Sequence, residues 1–206
     1  MTIAALLLAA GRSSRFTGGH KLLEPLNGEP VVVHSARAMI AAELRLVTVL
    51  GARADEVEAA LRAAFPVECA DGTLGFHRNP DYASGMGGSI RKGMEVIPPD
   101  ASAVLLALAD MPLLRPDDIR AVLAAWKEEE GVARAVSEDG APSHPVLFPR
   151  SLFPQLLALK GDKGARSLLR DHRVRSVPIP GARLLDVDTR EALERAQGMV
   201  EGRDRR

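Results

Sequence analysis

Residues 10–21, AGRSSRFTGGHK, gather glycines, hydroxyls and cations, and no carboxylate follows until Glu24. Gly11, Gly18 and Gly19 allow close backbone approach, Ser13 and Ser14 can donate hydrogen bonds, and Arg12, Arg15 and Lys21 supply positive charge. These are the parts of a phosphate-binding loop. The stretch matches neither common phosphate motif, because it ends Gly19-His20-Lys21 rather than Gly-Lys-Ser/Thr and lacks G-x-G-x-x-G. A solvated basic turn would use the same residues, so composition leaves both readings open. A second block, Gly85, Gly87 and Gly88 followed by Ser89, could offer amides to a phosphate at a helix N-terminus, or serve as a plain lead into that helix. Lys163 and Arg166 begin a later helical stretch, where cations oppose the dipole, which favours a bound anion or acidic partner over a solvated face.

The elements that must position these residues follow from hydrophobic pattern. Short apolar runs alternate with helical patterns, the signature of strands joined by crossover helices. The pattern predicts strands at 3–8, 46–50, 67–70, 103–109 and 174–177. It predicts helices at 30–44, at 55–65 ending before Pro66, from 85–88 to Pro98, at 116–130, at 151–159, at 164–171 and from Thr189 onward. The run 103–109 fits helix or strand by composition. Pro112 and the shortness of the run select strand, which puts Asp110 just beyond the carboxyl end of a buried strand. Residues 132–136 and 145–148 read as strands flanking a polar turn, a hairpin rather than another βα unit. The expectation is one three-layer α/β/α Rossmann-like domain over residues 1–200 with a mostly parallel sheet, and a disordered charged tail at 201–206. Ligands of such sheets bind beyond the carboxyl ends of strands, which is where the first glycine loop lies.

Composition limits the functional classes. The 206 residues are 46% hydrophobic, enough to bury a full core. Twenty-seven basic and 27 acidic side chains cancel and aromatics make up 3%, which argues against a nucleic-acid groove or a polybasic membrane surface. The single Cys69 allows no internal disulfide and no cysteine zinc cluster. No cation of a signal n-region precedes the short first apolar run, and no run approaches the roughly 18 residues that span a bilayer. A cytoplasmic protein is expected.

LLLAAGRSSRFTGGHKLL is similar to the signature of the nucleotidyltransferase superfamily that includes the molybdenum-cofactor nucleotidyltransferases. NPDYASGMGGSIRKGM, LLALADMPLL and PSHPVLFPRSLFPQLLALKGDKGARSLL followed by DVDT resemble its cytidylyl branch, molybdopterin cytidylyltransferase, in order and spacing. The match runs from Ile3 to about Leu193 and implies a nucleotide-diphospho-sugar transferase fold. Alanine at position 10 and the block GDKGAR resemble the cytidylyl branch more than the guanylyl one. Phe16 stands where methionine is usual, Thr17 adds a residue before the glycines, and Ser143 replaces a common glycine.

The resemblance implies transfer of CMP from CTP to a molybdopterin phosphate with release of pyrophosphate, a reaction that brings two polyanions together and needs their charge neutralised. It implies Mg²⁺ or Mn²⁺ on Asp110 and Asp188, which by themselves could equally be a turn aspartate and a helix N-cap. Arg15 and Lys21 would act on the phosphates as catalytic residues, and Leu8, Ala9, Ala10, Gly11 and Arg12 would bind the nucleotide, with loop amides cradling the triphosphate. Asn79 and Asp81 would lie near base and ribose, and Gly87 and Ser89 near a phosphate. His144, Lys163 and Arg166 would meet the acceptor, and a molybdenum hydroxylase apo-enzyme is a candidate partner. Other readings are transfer to another phosphorylated acceptor, a cofactor-carrying chaperone, and a dinucleotide-dependent redox protein. The last is disfavoured by the missing G-x-G-x-x-G.

Overall fold

The computed structural model describes residues 2–128, 131–161 and 164–204. In chain order the elements are β1 (Thr2–Ala9), β2 (Pro25–Leu26), β3 (Glu29–Pro30), α1 (Val31–Ile40), β4 (Arg45–Leu50), α2 (Ala54–Ala64), α3 (Pro66–Ala70) and β5 (Leu74–Arg78). Then come α4 (Met86–Met94), β6 (Ala101–Leu108), α5 (Pro116–Glu128), β7 (Val132–Val136), β8 (Pro142–Pro149), α6 (Phe153–Leu157), β9 (Val174–Pro178) and α7 (Arg190–Asp204).

Seven strands form one sheet in the order β5-β4-β1-β6-β8-β7-β9. β5, β4, β1 and β6 are mutually parallel, β8 is antiparallel to both β6 and β7, and β9 is parallel to β7. Alternation along the strands divides the core in two. In β1, Ala5, Leu7 and Ala9 enter one cluster and Leu6 the other; in β6, Ala103, Leu105 and Ala107 do the same against Val104 and Leu106. The first cluster packs under α1, α2, α5 and α7, and the second under α4 and α6, giving the three-layer α/β/α arrangement that the pattern predicts. α4 seats closely because residue 93 is glycine. A Cβ there would stand 2.2 Å from Leu6 Cδ1 and 2.7 Å from Val49 Cγ2.

Two local expectations are corrected. Residues 67–70 belong to α3, not to a strand, because Pro66 takes the first turn of a new helix, where its missing N–H costs nothing. The strand of that region is β5, paired in parallel with β4. At the other end α7 runs through residue 204, so positions 201–204 extend a helix rather than begin a disordered tail, and Gln197 donates to Glu201 one turn on at 2.8 Å. Residues 205 and 206 lie outside the described residues. Among the described residues no helix is long and apolar enough to cross a membrane.

The chain runs from β1 outward to β4 and β5, then returns to the opposite side of β1 for β6. The crossover direction therefore reverses between β1 and β6, and the carboxyl ends of these strands flank the natural ligand crevice. One is followed by residues 10–20 and the other by Ala109 and Asp110.

Candidate active site

A cleft of about 390 Å³ opens at this switch point, lined among others by Leu8, Ala10, Gly11, Arg12, Arg15, Lys21, Ser89, Asp110, Asp186 and Asp188. Its centre is a junction of charges. Lys21 Nζ donates to Asp110 Oδ2 and, at 2.6 Å, to Asp188 Oδ1, while Arg15 meets Asp188 Oδ2 at 2.6 Å. The Lys21 and Asp110 side chains are only 13% and 15% exposed, so this pair sits largely out of water, whereas Arg15 is 75% exposed.

Two backbone features bring these residues together. The Val187 amide donates to the Asp110 carbonyl at 2.8 Å, tying the segment before α7 to the end of β6. Val187 is buried in the core while Asp186 and Asp188 line the cleft, the Asp188 amide turning back to donate to the Asp186 carbonyl at 3.1 Å. The helix cap falls to Thr189, whose Oγ1 accepts the Ala192 amide at 3.2 Å, which leaves the Asp188 carboxylate for the site. Motif spacing singles out Asp188 and misses Asp186, although the alternation of Asp186, Val187 and Asp188 carries the signal.

The glycine loop is braced from behind. His20 is buried, and its Nε2–H donates to the Gly11 carbonyl at 3.2 Å. Burial lowers the His20 pKa against the pull of that carbonyl, which keeps the ring neutral near pH 7. Ser13 turns inward as well, its Oγ accepting the Lys21 amide at 3.3 Å, while Ser14 stays exposed. Gly51 at the end of β4 lets the loop's base approach, since a Cβ there would lie 2.7 Å from the Ala10 carbonyl oxygen. Phe16 and Thr17, the departures from the family pattern, belong to a clamp: Phe16 is buried, Arg190 of α7 lies 5.0 Å from its ring centroid, and Arg190 Nε donates to the Thr17 carbonyl at 3.0 Å. The same guanidinium pairs with Glu24 at 3.1 Å, so the first turn of α7 fixes both the loop and, through Asp188, its counter-charge.

Electrostatics follow from this crowding. Burial alone would lower the Lys21 pKa, but Asp110 and Asp188 outweigh it and hold Lys21 above the ordinary lysine value. Partial enclosure, with Asp110 and Asp188 beside it, pushes Asp186 up to about 6, although Lys21 and Arg15 pull the other way and the residue keeps access to solvent through the cleft. Asp110 Oδ1 is buried with no hydrogen-bond partner. Asp110 and Asp188 are hard oxygen donors of the kind that suits Mg²⁺ or Mn²⁺, and Asp110 Oδ1 is unsatisfied, but Lys21 Nζ stands between them and, among the described residues, no three such side chains gather closely enough to hold an ion unaided.

Other residues singled out in the sequence lie elsewhere. Ala9 is buried in β1, and Asn79, Asp81 and Gly87 are not among the residues lining the cleft. Asn79 is a brace: its side chain donates to Ser89 Oγ at 3.0 Å and accepts the Asp81 amide at 3.1 Å. Asp81 is exposed, and the Gly87 amide already donates to the Gly161 carbonyl at 2.9 Å. Ser89 remains in the cleft wall on α4. Lys163 lies outside the described residues.

His144 and Arg166 line a second, adjoining cavity of about 300 Å³, and Met86 stands on the rim of both. Burial lowers the His144 pKa to about 4, the Asp110 charge opposing and the Arg134 charge assisting. The ring is therefore neutral at pH 7. Because its folded pKa lies below the ordinary value near 6.5, its contribution to stability is full above pH 6.5 and is lost as pH falls toward 4. The expected loss at pH 4.5 is roughly 2 kcal/mol, since each tenfold difference in proton affinity between folded and unfolded chain is worth about 1.4 kcal/mol. Urea unfolding at pH 7 and 4.5 checks this: His144→Gln should lose that much less than wild type, and an identical loss would contradict the assignment.

Comparison with known proteins adds a family. The sequence pattern of the MobA-like NTP transferase domain matches residues 5–177. The purine catabolism protein PucB of Bacillus subtilis is 29% identical over 194 residues, covering 92% of this chain and 93% of its own. A 2-C-methyl-D-erythritol 4-phosphate cytidylyltransferase of Streptomyces avermitilis is 33% identical over 156 residues, covering 71% of this chain and 54% of its own. Among solved structures, Rv0371c of Mycobacterium tuberculosis in complex with manganese superposes with a TM-score of 0.75 at 28% identity, covering 96% of this chain and 99% of that one.

Proposed function

The chain belongs to the MobA-like NTP transferase family, and on that premise we propose that it transfers CMP from CTP to the phosphate of a molybdopterin-type acceptor, releasing pyrophosphate. The observation that carries the reading is the junction of Lys21 with Asp110 and Asp188 beside the loop 10–20, at the crevice between β1 and β6. A triphosphate entering there meets loop amides, Arg12, Arg15 and Lys21 on one wall and the carboxylates on the other.

The proposed chemistry is in-line displacement at the α-phosphorus by a terminal phosphate oxygen of the acceptor. Loop amides of Ala10, Gly11 and Arg12 hold the triphosphate, a contribution already oriented before reaction because His20 and Arg190 brace the loop. Arg15, exposed at the cleft mouth, and Lys21 offset the charge that grows on the departing pyrophosphate. Asp110 and Asp188, with Asp186 beside them, would hold a divalent cation, which when bound neutralises phosphate charge and polarises the reacting phosphorus. Ser89 can donate to a phosphate from the wall formed by α4. An acceptor phosphate is already ionised at neutral pH, so no side chain is needed as its base, and neutral His144 serves binding instead.

Cytidylyl rather than guanylyl transfer is supported by Ala10 and by the block GDKGAR, and by the cytidylyltransferase among the relatives. That relative also favours a second reading, CMP transfer to a sugar-alcohol phosphate. Delivery of the product to a molybdenum hydroxylase in the cytoplasm is part of the proposal. The test is a pyrophosphate-release assay with CTP, GTP or ATP against molybdopterin and against methylerythritol phosphate. CTP with molybdopterin should turn over fastest.

A further inference from the structure

α7 opens on Arg190, and a cation in the first turn of a helix opposes the helix dipole. The side chain serves the glycine loop instead. Its Nε donates to the Thr17 carbonyl at 3.0 Å, Nη1 meets Glu24 at 3.1 Å, and the guanidinium carbon lies 5.0 Å from the centroid of the buried Phe16 ring. Nη2 faces the glycines. A Cβ on Gly18 would stand 3.2 Å from it, and a Cβ on Gly19 would meet Glu24 Oε1 at 2.0 Å, so both positions leave room for the Arg190–Glu24 pair. A planar group with donors in fixed directions makes these contacts together, which a lysine ammonium does not.

The contacts fall where the chain departs from the family pattern, at Phe16 and at the added Thr17, whose carbonyl Arg190 takes up. The loop is also tied to the same segment from its other side, because Arg15 and Lys21 both meet Asp188, two residues before Arg190. The two sets of ties differ in one respect. Arg15 and Lys21 line the cleft, where an entering triphosphate competes with Asp188 for them, whereas Phe16, Thr17, Glu24 and Arg190 are not among the residues lining it. Binding thus exchanges the first set and leaves the second in place.

We propose that Arg190 is a positioning residue for nucleotide binding: it holds residues 16–19 on α7 while phosphates draw Arg15 and Lys21 away from Asp188, so the loop amides stay aimed. The inference rests on the reading that a nucleoside triphosphate enters this cleft, and adds the residue that keeps the lengthened loop in shape. Arg190 touches neither substrate nor reacting atoms. Without it the nucleotide must order the tip of the loop itself, an entropic cost that weakens binding.

The test titrates CTP, and tripolyphosphate as a base-free arm, into the full chain with Mg²⁺ and no acceptor, and follows deuterium exchange of the loop amides. Arg190→Ala should weaken both ligands about tenfold, the low end for a hydrogen bond to a charged group because the Arg190 side chain is 43% exposed. Its amides at 16–20 should exchange faster than those of wild type without ligand, and equally once CTP saturates. Arg190→Lys should fall between the two and serves if the alanine variant does not fold. Gln197→Ala is the control for a merely structural role: Gln197 Oε1 accepts the Asn27 amide at 2.8 Å and ties α7 to the β2–β3 turn, so its loss should lower Tm and leave CTP affinity unchanged. Unchanged CTP affinity or unchanged exchange in Arg190→Ala, weakening of CTP but not of tripolyphosphate, or an equal weakening by Gln197→Ala would overturn the proposal and leave the nucleotide reading standing. Absence of CTP binding by wild type would overturn that reading and the proposal with it.

Discussion

An Asp110→Asn variant is expected to fold normally and to release pyrophosphate about 10²- to 10³-fold more slowly than wild type, the scale on which removal of one aimed electrostatic group acts. The substitution keeps the shape of the side chain and leaves the Asp110 carbonyl free to accept the Val187 amide, so the tie between β6 and the segment before α7 survives. Lys21 retains Asp188 at 2.6 Å. What is lost is one charge and the buried, unpartnered Oδ1, the oxygen best placed to meet a divalent cation. Circular dichroism and a thermal melt report the fold, and a coupled pyrophosphate assay reports turnover. A rate within tenfold of wild type would remove Asp110 from the mechanism.

Lys21→Ala should show a double effect. Its kcat/KM falls about 10²- to 10³-fold through loss of a cation at the phosphates, and the unliganded protein also loses stability. Truncation leaves Asp110 without a cation and adds to the repulsion among Asp110, Asp186 and Asp188. Breaking a buried pair costs about 3–5 kcal/mol, and the 26% exposure of Asp188 brings the expectation down to about 2 kcal/mol. For a chain of this size that is roughly 5 °C in Tm. The sign with pH is fixed: a lysine whose folded pKa is raised contributes fully below its ordinary value near 10.5 and loses that contribution as pH rises through the folded value, so at pH 7 the whole effect is present. Millimolar Mg²⁺ or Mn²⁺ should raise the Tm of Lys21→Ala more than that of wild type, because the cation meets carboxylates no longer held by an amine. Equal shifts would contradict the carboxylate assignment.

Much of this arrangement is legible in the residues. Continuous apolar runs in β1 and β6 identify strands buried on both faces, and Pro112 resolves the ambiguous run, which together place the glycine loop and Asp110 at one sheet edge. Local pattern does not reveal what tertiary contacts decide. β5, Leu74-Gly75-Phe76-His77-Arg78, mixes polar and apolar residues in five positions and becomes a strand through pairing with β4. The resemblance sets Asn79 near base and ribose, and its hydrogen bonds to Ser89 Oγ and from the Asp81 amide are contacts visible only once α4 is seated. Arg134 is the opposite case. Its signal, a cation inside a valine and alanine alternation, is present in the sequence, and its place opposite Val146 is fixed only by the pairing of β7 with β8.

Comparison of CTP, GTP and ATP with molybdopterin as acceptor, in the presence of Mg²⁺ and read as pyrophosphate released per enzyme, addresses the central claim most directly. Turnover with CTP at least about tenfold above GTP and ATP, and cut about 10²- to 10³-fold in Asp110→Asn, is the expected result. Preference for GTP or ATP, or faster CTP turnover with methylerythritol phosphate than with molybdopterin, would contradict it.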